Sequence, residues 1–362
     1  MHKVLELIAK NSPHLSWVKD NTMLLVKHGS MAYGTNIETS DEDFRGIVIP
    51  TKDYFFSSIK KFNQAELKDP DAVIFNINKF FNLAIDNNPH VIEILHVDPS
   101  DTIYVSKIGE KLVERKDEFL SQRVKYTFSG YAISQLKRIK THRNHILNPP
   151  KGIPLRKDFG LQEHSVINGD QLEAITSSIQ KEMDKLNFNF MDHLEDDVKY
   201  EIKKSMVSIL SEYKIYSDDR WMACARKVGL NDNFIEILFK ERQYANAKKD
   251  WDNYITWKNA RNPVRYAMEE KFGYDGKHGL HLIRLLKMCK EIVSSGKVIV
   301  KRPDAEELIG IRRGLWSYDK LISEAEKLEK EIEQAFLTTK LPKVADKVKL
   351  DNFCIELIED SF

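Results

Sequence analysis

The chain has 362 residues, and its 56 lysines and arginines nearly balance its 55 aspartates and glutamates, for a formal net charge of +1. This balance excludes a polybasic scaffold, so any nucleic acid must be bound by a local patch, while 42 % hydrophobic residues are enough to bury a globular core. With no apolar run of about 20 residues and three scattered cysteines, the sequence predicts no membrane span, no disulfide framework and a cytoplasmic location.

The first hundred residues combine short strands with helices. Apolar runs predict strands at 23–26, 44–49 and 72–77, and helical patterns occur at 3–9 and 78–85. This alternation indicates a mixed α/β unit over residues 1–100.

The chain after residue 100 is mostly helical in pattern. Residues 108–147 predict one or two helices, which the paired prolines Pro149 and Pro150 must end. Residues 155–190 show no clear pattern. Further helices are predicted at 195–213, 219–228, 233–268, 277–295 and 318–336. The predicted fold class is therefore α+β, a short mixed sheet with helices followed by a mostly α-helical region over 101–362.

Paired carboxylates precede the second predicted strand. If Asp43 opens that strand, the side chains of Asp41 and Asp43 project from the same face and converge. Like charges at that distance repel unless a cation sits between them. Magnesium prefers such oxygen ligands, and two metal ions can clamp an in-line nucleotidyl transfer. Taken alone, such a pair is more typical of an exposed acidic turn before a strand.

A Gly-Ser pair stands ten residues before these carboxylates. Gly29 lets the backbone approach a phosphate without a Cβ in the way. Ser30 offers a hydroxyl and a backbone N–H, and a helix beginning there would add a favourable field for an anion. The pattern predicts a phosphate cradle.

The joint pattern of HGSMAYGT and SDEDFRGI resembles the signature of the DNA polymerase beta-type nucleotidyltransferase superfamily. Stretches at 71–95, 128–139 and 271–308 are similar to its RNA-repair or RNA-ligase-associated branch. The resemblance implies a catalytic domain at 1–100 and a helical domain at 101–362 that closes the nucleotide and acceptor cleft. It also implies two Mg²⁺ ions, or Mn²⁺, and transfer of an NMP from an NTP to a hydroxyl with release of pyrophosphate.

The superfamily also needs a third carboxylate, which completes one metal site and activates the attacking hydroxyl. The resemblance favours Asp71, at the start of the third predicted strand, with Glu66 and Asp69 as alternatives. Glu93 lies in another matching stretch, where it is better explained as a helix residue satisfied by packing partners. The predicted catalytic and metal-binding residues are Asp41, Asp43 and Asp71.

Basic residues are predicted to hold the triphosphate. Arg45 shares the strand face of Asp43 and would contact phosphate or base, or form a salt bridge with the acidic cluster. Lys277, His281 and Arg284 lie on one face of a predicted helix, where they suit a triphosphate, although a solvated face has the same pattern. The predicted nucleotide-binding residues are Gly29, Ser30, Arg45, Lys277, His281 and Arg284.

Two basic segments with interleaved aromatics, 123–145 and 251–265, are candidates for RNA binding, although aromatics at helical spacing are also typical of a core. The predicted RNA contacts are Lys137, Arg138, Lys140, Arg143, Arg261 and Arg265. The resemblance suggests an RNA 3′ end as acceptor, in a tRNA or a damaged RNA. The alternatives are nucleotidylation of a protein or small molecule, and a non-catalytic nucleotide- or RNA-binding module.

Overall fold

The computed structural model describes residues 2–184 and 218–362, and the predicted helix at 195–213 lies outside them. The chain packs as two units, one made of Met1–Leu147 with Asn262–Phe362 and the other of Asn148–Arg261. The first unit contains the sheet and the carboxylate motif. The division near residue 100 into a catalytic and a helical domain stays a prediction.

The first unit is built on a mixed five-stranded sheet with the order β3-β4-β2-β1-β5. Strands β2 and β4 are parallel neighbours, and the other pairs are antiparallel. The strands are β1 Thr22–His28, β2 Asp43–Val48, β3 Gln64–Lys68, β4 Asp71–Asn76 and β5 Thr102–Val105. The three predicted strands are confirmed as β1, β2 and β4. The two edge strands were missed because they are short, and β3 is largely polar.

Helices surround this sheet and make up most of the later chain. The described α-helices are α1 Lys3–Asn11, α2 Val18–Asn21, α3 Gly29–Tyr33, α4 Lys52–Phe56, α5 Ile77–Ile85, α6 Pro89–Leu95, α7 Lys107–Glu114, α8 Arg123–Leu147, α9 Gly169–Asp184, α10 Asp218–Lys227, α11 Asp232–Ala260, α12 Pro263–Phe272, α13 Gly276–Ser295, α14 Ala305–Arg312, α15 Tyr318–Phe336 and α16 Lys347–Glu359. The predicted α+β class, a short mixed sheet followed by a mostly helical region, is confirmed.

Prolines set two of the helix boundaries. Helix α8 ends at Leu147, just before the predicted break at Pro149 and Pro150. The prediction of one helix over 233–268 was wrong, because the chain forms α11 and then α12. Pro263 is the first residue of α12, where its missing N–H is tolerated, whereas inside a continuous helix it would remove a hydrogen bond and clash with the preceding turn.

The two faces of the sheet bury different partners. Leu25, Phe44 and Val48 face one core with residues of α1 and α2. Val26 and Ile47 face the larger core, where Leu280, Ile283 and Leu286 of α13 are buried as the helical spacing predicts. The second face becomes polar at its end, because the positions that continue it are held by His28, Asp43 and Asp71. The candidate site lies at this polar corner.

The second unit has a core of its own. Ile167, Ile179, Trp221, Ile235 and Leu238 are buried together from α9, α10, α11 and the segment before α9. Across the parts of the chain that the structure describes, each helix is too short or too polar to cross a membrane.

Candidate active site

Two carboxylates stand side by side at the polar corner of the sheet. Asp43 and Asp71 are the first residues of the parallel strands β2 and β4, and they are paired in register. Glu66 lies further along the sheet, opposite Val73, and Asp69 precedes β4. Of the three candidates for the third carboxylate, Asp71 is therefore the one placed beside Asp43.

The electrostatics of this pair are unbalanced. Partial burial raises the pKa of Asp43 above its ordinary value, Asp71 raises it further, and the cations Arg45 and Lys277 act in the opposite direction. The net increase means that the local positive charge is too small to offset burial and the second carboxylate. This corner is therefore electrostatically suited to an added cation.

Arg45 forms a salt bridge with Asp71, which is one of the two roles that the sequence predicts for it. Its Nη2 lies 3.1 Å from Oδ2 of Asp71, and its Nη1 donates to the carbonyl oxygen of Phe44 at 2.8 Å. The Asp71 side chain remains 48 % exposed. Arg45 thus compensates one carboxylate of the pair while leaving it open to solvent.

Asp41 lies in the exposed loop that leads from α3 to β2. Arg312 at the end of α14 supports this loop, because its Nη1 donates to the carbonyl oxygen of Thr35 and to Oγ of Ser40, each at 3.3 Å. Burial and then Arg265 lower the pKa of Arg312, whereas Asp41 has the opposite effect. Sequence reasoning missed Arg312, because it follows Asp41 by some 270 residues.

Gly29 brings the cradle against the carboxylates. Its φ is +60°, in the left-handed region, and a Cβ added to it would overlap the carboxylate of Asp43. Helix α3 begins at Gly29, one residue before the predicted start, and the backbone N–H of Thr35 donates to the carbonyl oxygen of Ser30 at 2.9 Å. Glycine is required here for both conformation and space.

A buried ion pair lies behind the cradle. Glu93 of α6 is fully buried, Tyr33 donates to its Oε2 at 2.6 Å, and Arg284 of α13 donates to its Oε1. Burial favours a higher pKa of Glu93, but Arg284, His28, His90 and the Tyr33 hydrogen bond together lower it. Glu93 therefore has packing partners, as the sequence interpretation of this residue favoured.

The predicted basic row on α13 divides into three environments. Lys277 is exposed, and its charge acts on Asp43. Burial, followed by Arg284 and Lys277, lowers the pKa of His281 well below its ordinary value, so this imidazole is neutral at neutral pH. Arg284 is 1 % exposed and paired with Glu93. Lys277 is therefore the exposed member of the row, and its role in binding phosphate stays a prediction.

The chemistry of the donors decides which residues fit a divalent metal. His28, His90 and Glu93 have ligand atoms within 4.8 Å of one another. However, both oxygens of Glu93 already accept hydrogen bonds, and the Arg284 guanidinium would repel a metal ion. Asp43 and Asp71 offer carboxylate oxygens, partial exposure and excess negative charge, which fit Mg²⁺ or Mn²⁺.

The predicted RNA contacts occupy different settings. Lys137, Arg138 and Lys140 are exposed on α8, whereas the guanidinium of Arg143 lies 4.0 Å from the ring centre of Tyr318. In addition, Arg265 pairs with Asp275. In the second unit, Arg261 lies 5.5 Å from the ring centre of Trp257. The exposed row on α8 is thus the more accessible basic surface.

Comparison with protein families gives a match over the first part of the chain. Residues 1–148, which are 148 of the 362 residues, match the model of the RNA repair pathway DNA polymerase beta family. This range includes the whole sheet, the cradle, the three predicted aspartates and Glu93, whereas Lys277 and Arg284 lie beyond it. No curated protein matches the chain, and no solved structure does. Over its first 148 residues, the chain is thus similar to the RNA repair pathway DNA polymerase beta family, which confirms the resemblance for the motifs in this range, whereas the stretch at 271–308 lies outside it.

Proposed function

We propose that the protein is a metal-dependent nucleotidyltransferase that moves an NMP from an NTP to the 3′ hydroxyl of an RNA and releases pyrophosphate. The observation that carries the proposal is the register pairing of Asp43 with Asp71, with Gly29 packed directly against the Asp43 carboxylate. A phosphate bound over Gly29 would lie next to both carboxylates. This is the arrangement that phosphoryl chemistry needs.

The carboxylates would hold the metal ions. Asp43 and Asp71, together with Asp41 of the loop before β2, are the proposed ligands of two Mg²⁺ ions, and Mn²⁺ has compatible ligand chemistry. When bound, these ions supply Lewis-acid stabilisation of the charge that develops on the phosphates. The raised pKa of Asp43, caused by burial and Asp71, is the observation that supports this donor set.

The protein's own groups have distinct roles in the proposed reaction. Ser30 and the backbone at Gly29 bind the terminal phosphates, and Lys277 offsets part of their charge. Asp71 accepts the proton of the attacking hydroxyl as its oxygen bonds to the α-phosphorus. The bond between the α-phosphorus and its bridging oxygen breaks, and that electron pair leaves with pyrophosphate.

An RNA acceptor is supported by two observations. The matched family is described by a role in RNA repair. Lys137, Arg138 and Lys140 also form an exposed basic row on α8, in the same unit as the carboxylates. Phosphate neutralisation by such a row predicts an RNA affinity that falls as salt rises.

The test is incorporation of each labelled NTP, with magnesium, into small RNAs and in parallel into protein. An Asp41→Ala, Asp43→Ala variant is compared with Glu66→Ala, Asp69→Ala, which removes two exposed carboxylates from the edge strand β3 and the turn that follows it. Label at RNA 3′ ends that only the first variant abolishes supports the proposal.

Two other results would replace the proposal of an RNA acceptor. Label on protein alone would assign transfer to a protein acceptor. Measurable binding of magnesium-NTP without label in either pool would indicate a nucleotide-binding module.

A further inference from the structure

One buried carboxylate joins the cradle to the basic helix. Glu93 of α6 is 0 % exposed, and its two oxygens are held from two other elements. The hydroxyl of Tyr33, the last residue of α3, donates to Oε2 at 2.6 Å, and Arg284 of α13 donates to Oε1. Nε2 of His28, directly before Gly29, lies 3.5 Å from Oε2. Residues on both sides of the Gly29–Ser30 cradle, His28 and Tyr33, therefore contact the same carboxylate.

Arg284 also contacts Tyr33 directly. Its guanidinium carbon lies 3.7 Å from the ring centre of Tyr33. Lys277 precedes Arg284 by about two turns of the same helix. Because a helix of this length moves as a rigid body over two turns, fixing Arg284 also fixes where Lys277 stands.

Stability alone does not explain a pair of this kind. Removing two charges from water is costly, and apolar residues of similar volume often fill such a site equally well or better. Charged hydrogen bonds do impose direction, since each donor must point at a particular oxygen. Both residues are too deeply buried to contact a ligand, so an effect on binding must pass through neighbouring residues.

We propose that Glu93 and Arg284 are a positioning pair, which sets the Gly29–Ser30 cradle in register with Lys277 so that both meet one triphosphate. The identity of that ligand rests on the proposed function. The registration itself is a property of the free protein and can be tested without any nucleotide.

The test variant is Glu93→Gln, Arg284→Met, which removes both charges and leaves neither ion buried alone. Its control is Glu241→Gln, Arg156→Met, in the second unit, where Arg156 and Glu241 form a two-pronged pair with side chains 17 % and 5 % exposed. Tyr33→Phe is the milder variant, since it removes one donor to Glu93 and keeps the ring under Arg284.

The first readout is hydrogen exchange in the free protein. The N–H of Gly34 donates to the carbonyl oxygen of Met31, and that of Thr35 donates to the carbonyl oxygen of Ser30. Both amides therefore report on the turn that follows the Gly29–Ser30 cradle. We expect these two amides to exchange faster by about tenfold in the test variant, less in Tyr33→Phe, and at the wild-type rate in the control.

The second readout is the steady-state kinetics with each magnesium-NTP. A smaller folded fraction lowers the apparent kcat and leaves KM unchanged, whereas misplaced phosphate groups raise KM. We expect KM to rise by about tenfold in the test variant and to stay within about twofold in the control.

The outcomes separate the two proposals. Wild-type exchange at Gly34 and Thr35 together with an unchanged KM in a folded test variant would overturn the positioning pair. Faster cradle exchange in a protein that binds none of the four NTPs would support the positioning pair and refute the proposed substrate.

Discussion

Two carboxylate–arginine arrangements in the same unit contrast sharply in their electrostatics. Asp43 is half-buried at the polar corner of the sheet, yet burial and the neighbouring Asp71 raise its pKa. Glu93 is fully buried, and burial by itself favours a higher pKa, yet Arg284 and the surrounding donors lower it. Burial alone would raise the pKa of the fully buried Glu93 more than that of the half-buried Asp43, which is the opposite of the order found.

The difference shows that partners determine whether a carboxylate is electrostatically satisfied. Glu93 has a charged or polar partner on each oxygen, so this carboxylate is satisfied without a ligand. Asp43 and Asp71 share one arginine between them, so their corner gains when a further cation binds. We therefore assign binding and chemistry to the corner and alignment to the buried pair, and the following variants test that division.

The largest effect is expected at the corner. Asp71→Asn keeps the shape of the side chain but removes a proposed metal ligand and the proposed proton acceptor. Nucleotidyl transfer should fall by about 10³-fold, or about 4 kcal/mol of transition-state stabilisation. Glu66→Gln, on the adjacent β3, should stay within about twofold of the wild type. Loss of activity in Glu66→Gln with retention in Asp71→Asn would reverse the assignment of the third carboxylate.

The next effect is on stability, at the buried pair. Glu93→Gln leaves the Arg284 guanidinium buried without its counter-ion, which should lower the free energy of unfolding by about 3–5 kcal/mol. The double variant Glu93→Gln, Arg284→Met should recover most of this loss. Urea denaturation of the two proteins measures the difference, and equal losses would show that the unpaired guanidinium is not the cause of the destabilisation.

The Glu93–Arg284 pair also predicts how the free energy of unfolding changes with pH. The folded pKa of Glu93 is below its ordinary value of 4.5, because Arg284 and the other donors outweigh burial. Its contribution to stability is therefore fully present above that ordinary value and is lost as the pH falls through the folded pKa. The double variant lacks this group, so its unfolding free energy should fall less steeply on acidification than that of the wild type.

Variants of two glycines allow the effect of backbone strain to be distinguished from the effect of contact with the carboxylate corner. Gly29 and Gly34 both have positive φ, at +60° and +71°, but a Cβ at Gly29 overlaps Asp43, whereas one at Gly34 has Ala305 at 3.8 Å as its nearest neighbour. Gly34→Ala should cost about 1–2 kcal/mol of stability and retain activity in the folded protein. Gly29→Ala should displace Asp43 and lower the transfer rate by about 10²-fold. Equal activities would mean that the cradle need not touch the carboxylates.

The sequence was sufficient for the parts of the site that are close in the chain. Spacing and apolar runs located β1, β2, β4 and the Gly29 turn, because alternation and turn chemistry act over a few residues. The family resemblance ranked Asp71 above Glu66 and Asp69, and the parallel register places Asp71 beside Asp43. These features depend on local pattern or on a recognisable motif.

The remainder depends on contacts between distant segments. The helical pattern predicts on which face of α13 Arg284 lies. It does not show that Glu93, 191 residues earlier in the chain, packs against that face. The same limit applies to Arg312, which supports the Asp41 loop. Treating Lys277, His281 and Arg284 as one cationic row followed from helical spacing, whereas burial differs at every position of the row.

The smallest effect is expected at the exposed end of that row. Lys277→Met removes a charge that acts on Asp43, and Lys290→Met removes one from the same helix that pairs with Glu331 at 2.8 Å. We expect KM for the magnesium-NTP to rise by up to about tenfold in the first variant and to stay near the wild-type value in the second. Because Lys277 is exposed, the difference between the two variants should shrink as the salt concentration rises. An equal rise in KM in both would mean that α13 contributes only a general positive field. Lys277 would then not be the residue through which the buried pair affects binding at the corner.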